Sequence, residues 1–268
     1  MIDIGDGPPL VLIPGLQGRW EWMRPAVEAL ATRFRVLTFS LAGDKGSGSA
    51  LDEQLGFDTY VQQVDRVLDA ASVTAATICG VSFGGLIAYR FAALRPERTR
   101  QLVLASPLPI DYALDGRFRL YRHAPRLLFP LFCIDSASRV APELRAAFPR
   151  WTDRARMVLA VGSRVLRAPA SPARMRGRLA LLGGVDFRSA IVRLPPVLLI
   201  TGEDALDRTV PPELSRKYLN FLPRAEVQML ARTGHLGSIT RPGAFAELVA
   251  NFVAREEAKH LTLHPTVM

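Results

Sequence analysis

The chain has 268 residues, of which 49% are hydrophobic, and it carries a formal net charge of +9. That length and apolar fraction fit one large domain with an insertion, and the sequence shows neither low-complexity tracts nor fixed-period repeats. The longest apolar runs are well short of the roughly 20 residues that a bilayer-spanning helix needs, so we predict no membrane span.

The N-terminus and the cysteines favour a cytoplasmic location. The N-terminus has no basic region followed by an apolar stretch, so we expect no signal peptide. The chain has two cysteines, Cys79 in a predicted strand and Cys133 in a distant segment. We expect both to be buried thiols in a reducing compartment rather than a disulfide.

The excess positive charge is confined to the middle of the chain. Residues 107–190 contain 15 arginines and 6 acidic residues, whereas the rest has 19 basic and 19 acidic residues. These arginines lie among Leu, Ala and Pro without aromatic interleaving or a recognisable binding motif, so we predict no nucleic-acid partner. Two interpretations stay open, a solvated helical surface or a surface that attracts acidic substrates or partners.

Short apolar runs alternate with amphipathic segments in the first 106 residues. The runs predict strands at Pro9–Ile13, Arg35–Phe39, Thr74–Cys79 and Gln101–Ala105. Helical spacing between them predicts helices at Trp22–Thr32, Phe57–Ala71 and Gly84–Leu94. Strands that alternate with helices are typical of parallel β-α-β units.

The alternation stops at residue 107 and resumes near residue 197. Residues 107–190 have arginine-rich, helix-like segments and no clear strand. Beyond them the pattern predicts strands at Val197–Thr201 and Glu226–Leu230 and helices at Pro211–Phe221 and Pro242–Glu257. We therefore predict an α/β fold with a mostly parallel, doubly wound sheet. Its core comprises residues 1–106 and 191–268, and the helical insertion 107–190 lies over the edge where open α/β sheets bind ligands.

The residues Gly80-Val81-Ser82-Phe83-Gly84 form a G-x-S-x-G motif between a predicted strand and a predicted helix. A serine at such a sharp turn has a strained backbone, and the glycines on each side keep neighbouring side chains from clashing. Because the turn lifts the hydroxyl clear of the sheet, Ser82 is the candidate nucleophile.

A serine hydroxyl needs a base within hydrogen-bonding reach, and the base needs a partner that fixes its tautomer. His235 follows the last predicted strand and lies between two nearby glycines, so it is the candidate base. The acid is expected in the loop after Val197–Thr201, where Asp207 and Asp204 are the competing candidates.

An anionic tetrahedral intermediate needs backbone N–H donors. We expect one donor from Phe83, which follows the nucleophile. The other is expected in the loop after the first strand, from Leu16 or, as the second choice, Gln17.

Candidate substrate-binding residues are aromatic or polar residues near the predicted site, namely Gln17, Trp20, Phe129 and Phe132. The two phenylalanines belong to the apolar stretch 127–134, which is equally consistent with a pocket wall or with core packing of the insertion.

Together these motifs resemble the α/β-hydrolase family over nearly the whole chain. The order Ser82, Asp207, His235 matches that family's nucleophile–acid–base order. Asp207 lies three residues before Val210, which is the family's spacing for the acid, so the resemblance favours Asp207 over Asp204. It also implies that residues 107–190 are the family's helical cap domain.

The resemblance implies a serine hydrolase that cleaves carboxylic esters through an acyl-enzyme intermediate. The same triad serves thioester and C–C bond hydrolases, and a non-catalytic ligand receptor on this fold is a further alternative. The sequence shows no metal-ligand cluster and no dinucleotide fingerprint, so we expect no metal and no cofactor. The expected partner is a small-molecule ester or related acyl compound, an acidic one if the arginines of the insertion face the pocket.

Overall fold

The computed structural model describes residues 1–111, 127–187 and 194–263, and its strands form one seven-stranded sheet. In chain order the strands are β1 (Ile2–Ile4), β2 (Pro9–Ile13), β3 (Arg35–Thr38), β4 (Ala76–Val81), β5 (Thr99–Ala105), β6 (Val197–Thr201) and β7 (Glu226–Met229). The α-helices are α1 (Arg24–Leu30), α2 (Asp58–Ala70), α3 (Phe83–Leu94), α4 (Phe129–Ala147), α5 (Trp151–Arg167), α6 (Pro172–Leu181), α7 (Pro212–Arg216), α8 (Gly237–Thr240) and α9 (Pro242–Leu263). Within these ranges no helix is long and apolar enough to cross a membrane.

The sheet is almost entirely parallel. Its strand order is β1-β3-β2-β4-β5-β6-β7, in which β1 pairs antiparallel with β3 and every other pairing is parallel. The predicted α/β fold is confirmed, whereas the antiparallel edge strand β1 was not predicted. Because β4 is the middle strand, the residue that follows it emerges at the centre of the carboxyl edge of the sheet.

Helices cover both faces of the sheet, which explains why its inner strands are continuous apolar runs. The residues Leu10, Val11, Leu12 and Ile13 of β2 are completely buried, as expected for a parallel strand packed on two sides. Val11 and Ile13 share a core cluster with side chains of α2 and α3, whereas Leu10 and Leu12 cluster with side chains of α1 and α9. This two-sided packing fixes where the strand ends lie.

The two cysteines lie in different environments. Cys79 is buried in β4, and burial raises the pKa of its thiol to about 12. Cys133 is exposed on α4, so the expectation of two buried thiols is wrong for this residue. Its apolar neighbours Leu131 and Ile134 are exposed as well, so the apolar sequence around Cys133 does not form a buried core in this part of α4.

The part of the chain between β5 and β6 that the structure describes contains α4, α5 and α6, which are called the inserted helices below. Residues 127–187 contain no strand, in agreement with their sequence pattern. Trp22 Nε1 donates a hydrogen bond of 2.9 Å to the carbonyl oxygen of Ala168, which follows α5. Arg178 of α6 donates one of 2.8 Å to the carbonyl oxygen of Leu16. Leu16 and Trp22 both follow the carboxyl end of β2. These two hydrogen bonds therefore place the inserted helices over the carboxyl edge of the sheet.

The junction between β4 and α3 leaves no room for side chains at Gly80 and Gly84. A Cβ atom on Gly84 would lie 2.6 Å from the carbonyl oxygen of Pro14, and one on Gly80 would lie 2.7 Å from Cβ of Ala88. Because protein interiors are close-packed, neither neighbour can move away without disturbing a strand or a helix. The two glycines of the motif are therefore required by the close approach of β2, β4 and α3.

Gly84→Ala is expected to lower the free energy of unfolding by about 1–3 kcal/mol, because the added methyl group overpacks this junction. Gly162→Ala is the matched control, since Gly162 lies inside α5 and a Cβ atom there meets nothing within 4 Å. The control should be neutral or stabilise the protein by less than about 1 kcal/mol, because alanine favours a helix. Urea unfolding measures both changes, and equal stabilities of the two variants would contradict the packing argument.

Candidate active site

Ser82 lies at the centre of the carboxyl edge, between β4 and α3. Its φ of 55° and ψ of −118° are sparsely populated values for a residue other than glycine. Its N–H donates to the carbonyl oxygen of Ala105 (2.9 Å), and its own carbonyl oxygen accepts from the N–H groups of Gly85 (2.9 Å) and Leu108 (3.3 Å). These bonds hold the strained backbone in place, and Ser82 lines a cavity above the sheet edge.

His235 lies in the loop between β7 and α8, within hydrogen-bonding distance of Ser82. The distance from His235 Nε2 to Ser82 Oγ is 3.0 Å, and His235 Nδ1 is 3.2 Å from Asp207 Oδ2. The structure thus brings the predicted nucleophile, base and acid together in one chain of hydrogen bonds, although they come from three separate loops.

Asp207 is almost completely buried, at 2% exposure, and its orientation is fixed. Its Oδ1 accepts hydrogen bonds from the N–H groups of Thr209 (3.0 Å) and Val210 (2.9 Å), which leaves Oδ2 for the histidine. The competing acid, Asp204, forms an ion pair of 2.7 Å with Arg216 and has a side chain that is 68% exposed. Of these two acids, the structure brings only Asp207 to the histidine.

The surroundings of His235 have opposing effects on its pKa. Burial favours the neutral imidazole and lowers the pKa, whereas the charge and hydrogen bond of Asp207 and the charge of Glu143 raise it. The raising effects dominate, so the pKa of His235 lies above its ordinary value of 6.5. An imidazolium that forms by proton uptake is therefore stabilised in this site.

Glu143 of α4 is a buried carboxylate that the sequence patterns did not single out. Its two oxygens accept hydrogen bonds from the N–H of Leu236 (2.9 Å) and the hydroxyl of Thr240 (2.8 Å). Burial raises the pKa of Glu143, and these hydrogen bonds and His235 oppose that rise. The inserted helices therefore hold the loop that carries the histidine. The one sequence signal is an isolated acid in an arginine-rich segment, which does not identify its partners.

The loop after β2 approaches Ser82. A tight turn is closed by the hydrogen bond from the N–H of Gly18 to the carbonyl oxygen of Gly15 (2.9 Å), and Gly15 lines the same cavity as Ser82. Leu16 lies inside this turn. Phe83 is the first residue of α3, where an N–H has no acceptor within the helix. One predicted oxyanion donor thus directly follows the serine, and the other lies in the adjacent turn.

A cavity of about 270 Å³ opens onto Ser82 and His235. Gln17 lines it, and its contact with a substrate stays a prediction. Trp20 is not among the residues that line it, whereas Trp22 is, and the indole N–H of Trp22 bonds to the carbonyl oxygen of Ala168. A substrate contact of Trp20 stays a prediction.

The remaining predicted substrate contacts are those of Phe129 and Phe132, whose side chains lie outside the described residues, so these contacts stay predictions. Among the side chains that the structure describes, no group of three or more His, Cys, Asp or Glu is arranged to hold a metal ion.

Comparison with known proteins identifies the family. A family model described as alpha/beta hydrolase fold matches residues 8–242. The chain belongs to the α/β-hydrolase fold family. This α/β-hydrolase is 29% identical over 268 residues to 2-hydroxymuconate semialdehyde hydrolase from a Pseudomonas species, covering 96% of the chain and 90% of the relative. It is 31% identical over 253 residues to pimeloyl-(acyl-carrier protein) methyl ester esterase from Klebsiella pneumoniae, covering 91% of the chain and 93% of the relative.

Solved structures agree with this membership. The crystal structure of a bromoperoxidase from Bacillus anthracis matches with a TM-score of 0.70 and 25% identity, covering 94% of each chain. The two sequence relatives are named as hydrolases, one of a semialdehyde and one of a methyl ester. The family and the fold that the sequence predicted are thus confirmed, and the names of the relatives indicate a hydrolase.

Asp207→Asn is expected to lower the pKa of His235, because it removes the negative charge beside Nδ1 that favours the imidazolium. Asp204→Asn is the control, since it removes an exposed charge from the same loop and should leave the pKa unchanged. NMR titration of the imidazole C–H resonance measures both. A shift of equal size in the two variants would contradict the pairing of His235 with Asp207.

Proposed function

We propose that this α/β-hydrolase cleaves carboxylic esters through a Ser82–His235–Asp207 triad and an acyl-enzyme intermediate. The observation that carries the proposal is the unbroken hydrogen-bond chain from the serine hydroxyl to a buried carboxylate, with distances of 3.0 Å and 3.2 Å. A ligand receptor needs no such chain, so its presence disfavours the non-catalytic alternative.

In the acylation step, His235 removes the proton from Ser82 Oγ while that oxygen forms a bond to the ester carbonyl carbon. The π electrons of the carbonyl move to its oxygen, which becomes an oxyanion. Asp207 keeps the histidine in the tautomer with a proton on Nδ1 and stabilises the imidazolium, consistent with the raised pKa of His235.

The oxyanion accepts hydrogen bonds from the N–H groups of Leu16 and Phe83, which stabilise charge that develops only during the reaction. When the intermediate collapses, the carbonyl re-forms and the bond to the leaving alkoxide breaks. The alkoxide takes the proton from His235 and departs as an alcohol, leaving the acyl group on Ser82.

In the deacylation step, water takes the place of the alcohol. His235 removes a proton from the water as its oxygen attacks the acyl carbon, and a second tetrahedral intermediate forms. Its collapse breaks the bond to Ser82 Oγ, which regains the proton from His235. The products are a carboxylic acid and the free enzyme.

We further propose that the inserted helices act as a cap that selects the substrate. Two of them contribute side chains to the cavity beside Ser82, including Val140 of α4 and Val161 of α5. Because the triad and the oxyanion donors are provided by the sheet and its loops, differences in substrate are expected to arise from residues of this kind.

Hydrolysis of a C–C bond is the second candidate. It is favoured by the 29% identity to a 2-hydroxymuconate semialdehyde hydrolase, whereas the 31% identity to a methyl ester esterase favours the first candidate. The triad serves both reactions. Assays with matched methyl esters and vinylogous diketones separate the two.

Ser82→Ala is expected to abolish labelling by a fluorophosphonate probe and to lower ester hydrolysis by on the order of 10⁶-fold, because the nucleophile is lost. Asp207→Asn should lower the rate by roughly 10⁴-fold, since the histidine then holds the wrong tautomer. Asp204→Asn, the exposed control, should retain the wild-type rate. A severe loss in Asp204→Asn alone, or wild-type protein that resists the probe, would contradict the proposal.

A further inference from the structure

The cavity beside Ser82 is lined by positively charged side chains. Two arginines, Arg19 and Arg164, contribute to its lining, whereas no Asp or Glu among the described residues does. Arg19 donates to the carbonyl oxygen of Lys45 and forms an ion pair with Glu21. Its terminal nitrogens are therefore already used by the protein.

Arg164 reaches the cavity from the last turn of α5. Its Nη1 atom is buried and has no hydrogen-bond partner in the part of the chain that the structure describes. A guanidinium group keeps its charge in a protein, and a buried charged donor without an acceptor is costly. An anion in the cavity would provide the missing acceptor.

The backbone of Arg164 belongs to a helix end that is bonded to the sheet domain. Its carbonyl oxygen accepts a hydrogen bond of 2.8 Å from the N–H of Ala168. The carbonyl oxygen of Ala168 in turn accepts one of 2.9 Å from Trp22 Nε1, and Trp22 itself lines the cavity. The end of α5 is thereby anchored to the sheet domain, and Arg164 lines the cavity from this anchored end.

Other arginines of the inserted helices have different surroundings. Arg156, also on α5, has a side chain that is 82% exposed and lies 3.5 Å from Asp153. Arg178 on α6 forms a buried ion pair with Asp44. The arginine-rich composition of this region therefore combines surface and structural residues. Arg164 differs from these two because it lines the cavity and forms no ion pair with an acid of the described residues.

We propose that Arg164 binds a substrate carboxylate remote from the scissile bond, so that monoesters of dicarboxylic acids are preferred substrates. The inference rests on the proposed ester hydrolysis at Ser82 and specifies its substrate class. A planar guanidinium group pairs with a carboxylate through parallel hydrogen bonds. Apolar lining residues such as Val140, Val161 and Ile239 suit the methylene chain between the two ends of such a substrate.

The test compares kcat/KM for the monomethyl and dimethyl esters of the same dicarboxylic acids, from succinic to adipic acid. The wild type should prefer the charged monoester at one chain length or more. Arg164→Gln should lower kcat/KM for that monoester by about 10- to 100-fold, because a charge-assisted hydrogen bond is lost. The same variant should change kcat/KM for the dimethyl ester by less than about threefold.

Two further variants make the comparison specific. Arg164→Lys keeps the charge but not the planar fork, so it should retain part of the preference for the monoester. Arg156→Gln removes an exposed arginine of the same helix and should leave kcat/KM for both esters unchanged. The proposal would be overturned by a wild type that shows no preference for the monoester. It would also be overturned if Arg164→Gln lowered kcat/KM equally for the monomethyl and dimethyl esters.

A binding measurement separates this proposal from the proposed chemistry. Calorimetric titration of the Ser82→Ala variant with glutarate and adipate should detect binding that Arg164→Gln abolishes, even if no ester is hydrolysed. Binding that is unaffected by Arg164→Gln, or absent in both proteins, would overturn the anion site. Because Arg164 Nη1 has no hydrogen-bond partner among the described residues, we expect its replacement by Gln to leave Tm unchanged, and measuring Tm of the variant checks that folding does not confuse the result.

Discussion

The strained backbone at Ser82 is the constraint on which the rest of the site depends. A non-glycine residue at φ 55° costs of order 1–3 kcal/mol and persists only where the surrounding structure holds it. Here that structure is the central strand β4, buried on both faces, together with hydrogen bonds from Ser82 to its neighbours. Gly80 and Gly84 allow β4, β2 and α3 to approach closely enough for the turn to exist. The sheet core therefore fixes the position of the hydroxyl before any catalytic partner is considered.

The inserted helices are coupled to this constraint through polar contacts with the loops around Ser82. Arg178 of α6 bonds to the carbonyl oxygen of Leu16, in the turn beside Ser82. Glu143 of α4 accepts hydrogen bonds from the segment that follows His235. The residue after α5, Ala168, is bound by an indole from the sheet domain. Each of these contacts reaches a loop near Ser82, so a shift of the inserted helices would alter the cavity and the positions of the loops around the serine together.

Local sequence patterns predicted those parts of the molecule whose causes are local. The apolar runs of β2 and β6 have the same bounds in the structure as in the sequence analysis, because parallel strands buried on both sides require such runs. The half-exposed edge strand β1 has too few apolar residues to show a period. The hydrogen bonds of Trp22 and Glu143 join partners that are 146 and 93–97 residues apart in the sequence, so spacing alone could not reveal these bonds. The packing of the inserted helices likewise decides which of their arginines line the cavity.

The central proposal is that Ser82 carries an acyl group during turnover, with His235 as its base. The most direct measurement is peptide mass spectrometry of protein quenched during turnover of 4-nitrophenyl acetate. We expect the mass of one acetyl group on the peptide that contains Ser82 and on no other peptide. In a His235→Ala variant this modification should be slow to form. An acetyl group located on Cys133 or another side chain, with Ser82 unmodified in active protein, would contradict the account.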